Sequence, residues 1–360
     1  MRNERTLEIR AGAALFGPDL LEVADATILV RGGIIVGCGA AGDVTVPAGT
    51  PVVDASRLTL MPGFIDAHVH IGFVEPAAVV RGGVTTVRDL GWPLDEIGRL
   101  MAGSEAPGSE GPAITAVGPI LTAPGGYPTR AGWAPRGTGL EVDSPGAAQD
   151  AVHSLAKWGA SAIKIALNPP AGPVLDTPTL TAITETARSV GLRTTGHVTG
   201  LDQLDRALDT GLDELAHMLM SYEAIPDDTI ERMVAAGMVV VPTLAVRSGA
   251  DLDQAVDNLW RFAAAGGRIV YGTDLGNNGP QPGIDALEVA AMAAAGMAPP
   301  AIIGSATAEA AAWLGLGDRG ILEPGRRADI IGVAGEPTAR AADLTNVELV
   351  VRAGRVIKGS

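Results

Sequence analysis

Apolar and polar positions follow two rhythms along this chain. Residues 1–58 and 321–360 carry short runs with glycine turns between them. Thr6–Arg10 alternates, as a half-buried strand does. Ala26–Val30 and Ile34–Gly37 flank Arg31-Gly32-Gly33 and predict a glycine-turned hairpin. Val52-Val53-Asp54 predicts another short strand. The far end repeats the character with Ala328–Val333, Glu348–Arg352, an Ala353-Gly354 turn and Arg355–Lys358. Neither end has enough strands for a stable sheet alone. One small β-sandwich built from both ends is the economical expectation.

Residues 59–320 read differently. Apolar strand-like runs cover Thr59–His68, Thr85–Leu90, Ala113–Val117, Ala162–Leu167, Leu192–His197, Glu214–His217, Met238–Pro242 and Arg268–Asp274. Helical stretches separate most of them: Pro145–Trp158, Thr179–Val190, Asp202–Asp209, Asp227–Ala236 and Leu252–Ala265, with a further helical region over Pro299–Leu314. Eight strands with helical crossovers predict an α/β fold, a (β/α)8 TIM barrel. An open doubly wound sheet is the competitor, but no G-x-G-x-x-G follows the first strand. Gly118–Gly139, rich in glycine and proline, predicts a long loop over the catalytic face.

Bulk properties narrow the classes. The 360 residues suffice for one large domain and a small one. No stretch of 18 apolar residues predicts a membrane span, and the N-terminus lacks a signal-peptide core. A formal charge of −15 argues against nucleic acid and anionic membranes and says little about the substrate, which is expected to be a small molecule. Cys38 is the only cysteine, which suits a reducing cytoplasm; it is expected to pack in the β-domain. Of 26 basic residues only Lys157, Lys164 and Lys358 are lysines, so a buried one stands out.

The candidate chemistry lies at the ends of the predicted barrel strands. In Pro62-Gly63-Phe64-Ile65-Asp66-Ala67-His68-Val69-His70, strand alternation points His68 and His70 the same way. The fourth strand carries Lys164, the fifth His197, the sixth His217 and the eighth Asp274. In a barrel these ends converge. Four imidazoles and a carboxylate are good ligands for zinc or a similar divalent ion. Lys164, between Ile163 and Ile165, either reaches solvent at a strand end or is buried. Burial would depress its pKa and make it nucleophilic, able to take up carbon dioxide as a carbamate.

These motifs resemble the amidohydrolase superfamily, and the likeness runs almost end to end. Pro62–His70 is similar to the first-strand signature of that family, and Gly83–Gly91 to its second strand. Ala306–Ala311, Gly320, Glu323-Pro324-Gly325 and Ala328-Asp329-Ile330 resemble the segment that returns the chain to the small β-domain. The resemblance implies two divalent metals, most simply Zn2+. His68, His70 and Asp274 would hold the buried one, His197 and His217 the exposed one, and N6-carboxylated Lys164 would bridge them. A bridging hydroxide would attack the substrate carbonyl while Asp274 moves the proton.

Within the family, Lys164 favours a binuclear hydrolase. A deaminase-like glutamate three residues after a ligand histidine is missing, because those positions are Gly200 and Met220. Ala160–Leu167 and Gly118–Tyr127 look most like the imidazolonepropionase-like and Xaa-Pro dipeptidase-like group. This implies hydrolysis of an amide or peptide-like C–N bond in a dipeptide, N-acyl amino acid or related amide. Carbamate, lactone or phosphotriester hydrolysis on the same centre is the alternative, and a non-catalytic scaffold the remote one. Tyr127 stands where the group carries a histidine. Tyr127, Arg130, Tyr222 and Arg247 are candidate substrate contacts, and either arginine could pair with a substrate carboxylate. Trp92 and Trp133 could wall a pocket, and His153 is expected at the surface. Family analogy implies a homodimer or larger assembly.

Overall fold

The two rhythms of the sequence separate in space. The computed structural model describes residues 6–359. The chain begins with β1 (Thr6–Phe16), β2 (Leu21–Arg31), β3 (Ile34–Ala40) and β4 (Val52–Pro62). Next come β5 (Phe64–Val69), α1 (Pro76–Arg81), β6 (Val84–Asp89), α2 (Leu94–Ser104), β7 (Ala113–Ala116), β8 (Ile120–Thr122) and β9 (Gly139–Glu141). Then follow α3 (Pro145–Trp158), β10 (Ile163–Leu167), α4 (Thr177–Ser189), β11 (Thr194–Val198), α5 (Leu201–Asp209), β12 (Glu214–Leu215) and α6 (Asp227–Ala235). The last stretch holds β13 (Val239–Val240), α7 (Gly249–Ala264), β14 (Arg268–Ile269), α8 (Ala286–Ala294), α9 (Pro299–Ser305) and α10 (Ala308–Leu314). It closes with β15 (Ile330–Ala334), β16 (Val347–Arg352) and β17 (Arg355–Lys358).

Both chain ends share one mixed sheet in the order β17-β16-β15-β4-β1-β2-β3. The join is β4, parallel to β1 and antiparallel to β15. Ile9, Ile28, Val30, Ile35, Leu60, Ile330 and Val351 form its core, and Cys38 packs against it half-buried. The apolar run Thr59–His68 is two strands. Thr59–Pro62 pairs with β15, and Phe64 onward pairs with β6. Gly63 makes the break, because a Cβ there would lie 2.3 Å from the Thr85 side chain.

The middle of the chain is parallel and lined outside by helices. One sheet runs β14-β13-β12-β11-β10-β8-β9 and another β5-β6-β7. β5, β6, β10 and β11 are buried throughout, as strands covered on both faces are. The sheets meet on both sides: Ala67 N donates to Tyr271 O (3.0 Å) and Ser161 N to Ala116 O (2.8 Å). This parallel α/β arrangement fits a barrel. Among the described residues no helix is long and apolar enough to cross a membrane.

α3 shows how the helices form. Ser144 accepts from Ala147 N at the N-cap, Pro145 opens the first turn, and Gly159 at φ 100° ends it. Ala148, Ala151, Val152 and Leu155 are buried at helical spacing, which leaves His153 exposed. Two expectations change. The helical region Pro299–Leu314 is two helices, because Thr307 leaves helical geometry at φ −131°, ψ −96°. The loop Gly118–Gly139 holds β8 and leads into β9; Leu121 pairs with Ile165.

Inside the parallel strands lies a buried ion pair. Arg88 meets Glu214 at 2.5 Å, with both side chains at most 2% exposed. Arg88 Nε also donates to Ala67 O (2.8 Å), while Thr195 Oγ1 (2.6 Å) and Trp313 Nε1 donate to Glu214. The pair thus ties β5, β6, β11, β12 and α10 together. Glu214→Gln leaves a buried guanidinium without its counter-charge and should cost about 3–5 kcal/mol in urea unfolding. Arg88→Met with Glu214→Leu should cost less than either single change, and a larger loss in the double variant would contradict this account.

Candidate metal centre

Strand ends bring His68, His70, Lys164, His197, His217 and Asp274 to one cavity of about 290 Å³. His68 lies within β5 and His70 just beyond it, Lys164 is on β10 and His197 on β11. His217 and Asp274 follow β12 and β14. All six are buried.

Backbone carbonyls decide which imidazole nitrogen faces inward. His68 Nδ1 is 2.6 Å from Ala216 O, and His70 Nδ1 is 3.3 Å from Gly91 O. A carbonyl only accepts, so each Nδ1 carries the proton. Each Nε2 then turns its lone pair to Asp274 Oδ1, at 3.2 Å from His68 and 3.3 Å from His70. With both rings neutral, three acceptors would face one another, and a proton on His70 Nε2 is one way to relieve them. Asp274 Oδ1 and Lys164 Nζ are both buried without a hydrogen-bond partner. The ligand atoms of His68, His70 and Asp274 lie within 4.8 Å of one another, a spacing that can hold a metal ion.

The second histidine pair faces the same space. His197 Nδ1 lies 3.0 Å from His217 Nε2. His217 Nδ1 meets Thr243 Oγ1 at 2.8 Å, and His197 Nε2 meets Asn168 Nδ2 at 3.2 Å. Rotating the Asn168 amide would present its oxygen instead, move the imidazole proton to Nε2 and free His197 Nδ1.

Electrostatics follows from burial. Burial lowers Lys164 to about 7, partly countered by Asp274 and Glu214. Burial also lowers His197 to about 3 and holds His68 and His217 well below the usual imidazole range. For His70 burial pushes down, but the Asp274 hydrogen bond and charge, with the charge of Asp89, raise it overall. The histidines other than His70 are therefore neutral at pH 7, as metal ligands must be.

Two further carboxylates fix the strand ends. Asp66 accepts from His68 N (3.0 Å), Thr273 N (3.1 Å) and Thr273 Oγ1 (2.6 Å). Asp89 accepts from Ile71 N (2.8 Å) and Gly91 N (3.0 Å). Asp274 and Thr243 are held at φ 59° and 48°, in the left-handed region. For β-branched Thr243 this is strained by about 1–3 kcal/mol.

Beyond those six, Ile120, Tyr127, Met220, Val246, Asn277 and Asn278 line the cavity. The Tyr127 ring stacks on His197 at 4.9 Å, and Trp133 packs 5.3 Å from His70. Of the other expected contacts, Arg130 is exposed beside Gly125 and Tyr222 is 75% exposed. Arg247 is buried; it donates to the Met218 and Leu219 carbonyls and pairs with Asp251 at 2.9 Å. Trp92 packs on Phe73 at 4.6 Å and bonds Glu96. Asn168, Thr243, Asn277 and Asn278 escaped sequence reasoning. The asparagines at 277 and 278 carried a signal, since they directly follow the strand end bearing Asp274. Thr243 carried none, because its role depends on contact with a ring from another strand.

Residues 59–357 match the model of the amidohydrolase family. The chain belongs to that family, one of hydrolases acting on C–N bonds. Among its relatives is adenine deaminase 2 of Rhizobium meliloti (strain 1021), 28% identical over 298 residues. That match takes in 78% of this chain but 46% of the relative, so this chain spans about half of that protein's length. A crystal structure of a Xaa-Pro dipeptidase with bound methionine in its active site superposes with a TM-score of 0.83 at 24% identity, covering 98% of this chain and 100% of that one. Molinate hydrolase superposes with a TM-score of 0.82 at 20% identity, covering 98% and 94%.

Gly272 tests how tightly the site is built. A Cβ there would meet Val241 Cγ1 at 2.3 Å and His68 N at 3.0 Å. Gly272→Ala should therefore push the strand bearing Asp274 away from β5 and cost about 1–3 kcal/mol in thermal or urea unfolding. A variant as stable as the parent would show that the close approach is not required.

Proposed function

We propose that the chain is a metal-dependent hydrolase that cleaves an amide or peptide-like C–N bond of a small-molecule substrate, such as a dipeptide, an N-acyl amino acid or a related amide. The observation that carries this reading is the crowding at Asp274. A carboxylate oxygen and two imidazole nitrogens 3.2–3.3 Å apart need a cation among them, whether a proton taken up by His70 or a metal ion in its place. The partnerless Lys164 Nζ in the same cavity adds a second demand.

The donor set fits two divalent ions, most simply Zn2+. His68, His70 and Asp274 would hold one, and His197 and His217 the other. Lys164, carboxylated on Nζ, would bridge them. The neutral amine forms that carbamate by adding to the carbon of carbon dioxide and giving up one proton, which turns an orphaned donor into a two-oxygen ligand. Bound there, such ions would supply activation of a water nucleophile and polarisation of the substrate carbonyl. Asp274 would accept the proton of the attacking water and return it to the amine nitrogen as the C–N bond breaks. The Ala216 and Gly91 carbonyls keep His68 and His70 in the ligating tautomer.

The scaffold we infer is a closed (β/α)8 TIM barrel over residues 59–320, with 1–58 and 321–360 folded as a β-sandwich beside it. The hydrogen bonds joining β5–β7 to the longer parallel sheet on both sides support closure. The similarity to a dipeptidase supports an amide substrate. The single cysteine suits a cytoplasmic setting.

Zinc or cobalt added to chelator-treated protein should bind at about two ions per chain and raise the melting temperature. Less than one tightly bound ion per chain overturns the metal centre. Asp274→Asn should lower kcat by about a hundredfold or more, and normal turnover in that variant removes Asp274 from proton transfer. Lys164→Ala should lose much of the bound metal, and unchanged metal content would refute the carbamate bridge.

A further inference from the structure

We infer that, among the amides named above, the substrate is one without a free carboxylate rather than a free dipeptide or N-acyl amino acid, held by neutral polar groups and apolar contact; the inference rests on the cavity being the hydrolytic site. Ile120, Tyr127, Met220 and Val246 supply apolar and aromatic wall, and Asn277 and Asn278 supply amides. Among the described residues the lining contains no guanidinium, and its one ammonium belongs to Lys164, claimed by the metal centre.

The arginine closest in sequence to this wall is Arg247, which follows Val246. Two of its guanidinium nitrogens are engaged elsewhere, Nη2 on the carbonyls of Met218 and Leu219 and Nη1 on Asp251, while Nε is buried without a partner. Turning it toward a substrate would orphan two buried carbonyls and a carboxylate, at about 1–3 kcal/mol per lost partner. It is a brace for the loop that follows His217, which carries Met220 to the cavity. Arg130 and Tyr222 are exposed and outside the lining.

With the metal centre engaged on the scissile amide, a carboxylate elsewhere in the cavity would lose hydration and gain no fork of donors in return. An uncharged amide does not meet that cost. Asn277 and Asn278 each offer donors and an acceptor, and the stacked Tyr127 offers a flat apolar surface. A volume of about 290 Å³ suits a compact molecule.

Matched pairs that share one scissile bond decide the matter. Zinc-reconstituted protein is assayed on acetanilide against N-acetyl-4-aminobenzoate, and on N-acetyl-leucine methylamide against N-acetyl-leucine. The uncharged member should be favoured in kcat/KM by about tenfold or more. Calorimetry with benzamide and 4-carboxybenzamide gives a readout that needs no turnover, and benzamide should bind about tenfold more tightly. Val246→Arg, which sets a guanidinium on the wall, should narrow or reverse that preference. Equal affinity, or a preference of the parent protein for the carboxylate member in either measurement, overturns the inference. Tighter benzamide binding without turnover of any pair would support the inference and count against the hydrolytic reading, so the two fail separately.

Discussion

Charge enclosed by parallel strands is the constraint on which the rest of this structure depends. Arg88 and Glu214 occupy the strand interior, and Lys164, Asp274 and four imidazoles gather toward the strand ends. In a low-dielectric interior each such group must be paired, neutralised or ligated. The inner group is solved by the chain itself, through the Arg88–Glu214 pair and the donors of Thr195 and Trp313. The outer group is not. Lys164 Nζ stays without a partner, and two imidazole nitrogens crowd the same carboxylate oxygen. A protein that satisfies one layer and leaves the next unsatisfied has built a site for something else.

The strain of holding that arrangement is distributed over the surrounding backbone. Thr243 sits at φ 48° so that its hydroxyl meets His217, and Asp274 at φ 59° turns its carboxylate to β5. Gly272 lets the two strand ends approach, and Asp66 binds both of them through His68 N and Thr273. Asp66 is itself pushed up to about 7 by burial, so its hydrogen bonds from Thr273 and His68 matter to more than position. The wall of the cavity is a separate problem, solved by loops. Arg247 braces one of them from behind, which leaves apolar side chains, amides and a phenol to meet the substrate.

Much of this was legible in the one-dimensional pattern. His68 and His70 two residues apart on an apolar run, Lys164 between isoleucines, and His197, His217 and Asp274 at the ends of later runs already pointed to one pocket. The reason is that parallel strands with crossover helices bring like ends together whatever their separation in sequence. The helix Pro145–Trp158 was equally clear, since its cap, proline and buried spacing are all local. The break at Gly63 was not, because it depends on Thr85 lying across from it. The roles of Arg130, Tyr222 and Arg247 were not, because an arginine in a loop reads the same whether it faces a substrate, solvent or a carbonyl.

The sequence by itself thus determined which groups gather in the cavity, because strand period and strand ends fix where side chains of a given type emerge. Only the tertiary structure decided their protonation and their competition for space. Which imidazole nitrogen is free depends on carbonyls of Ala216 and Gly91, and whether Lys164 has a partner depends on what packs around it. Those are contacts between residues far apart in the chain, and no local pattern records them.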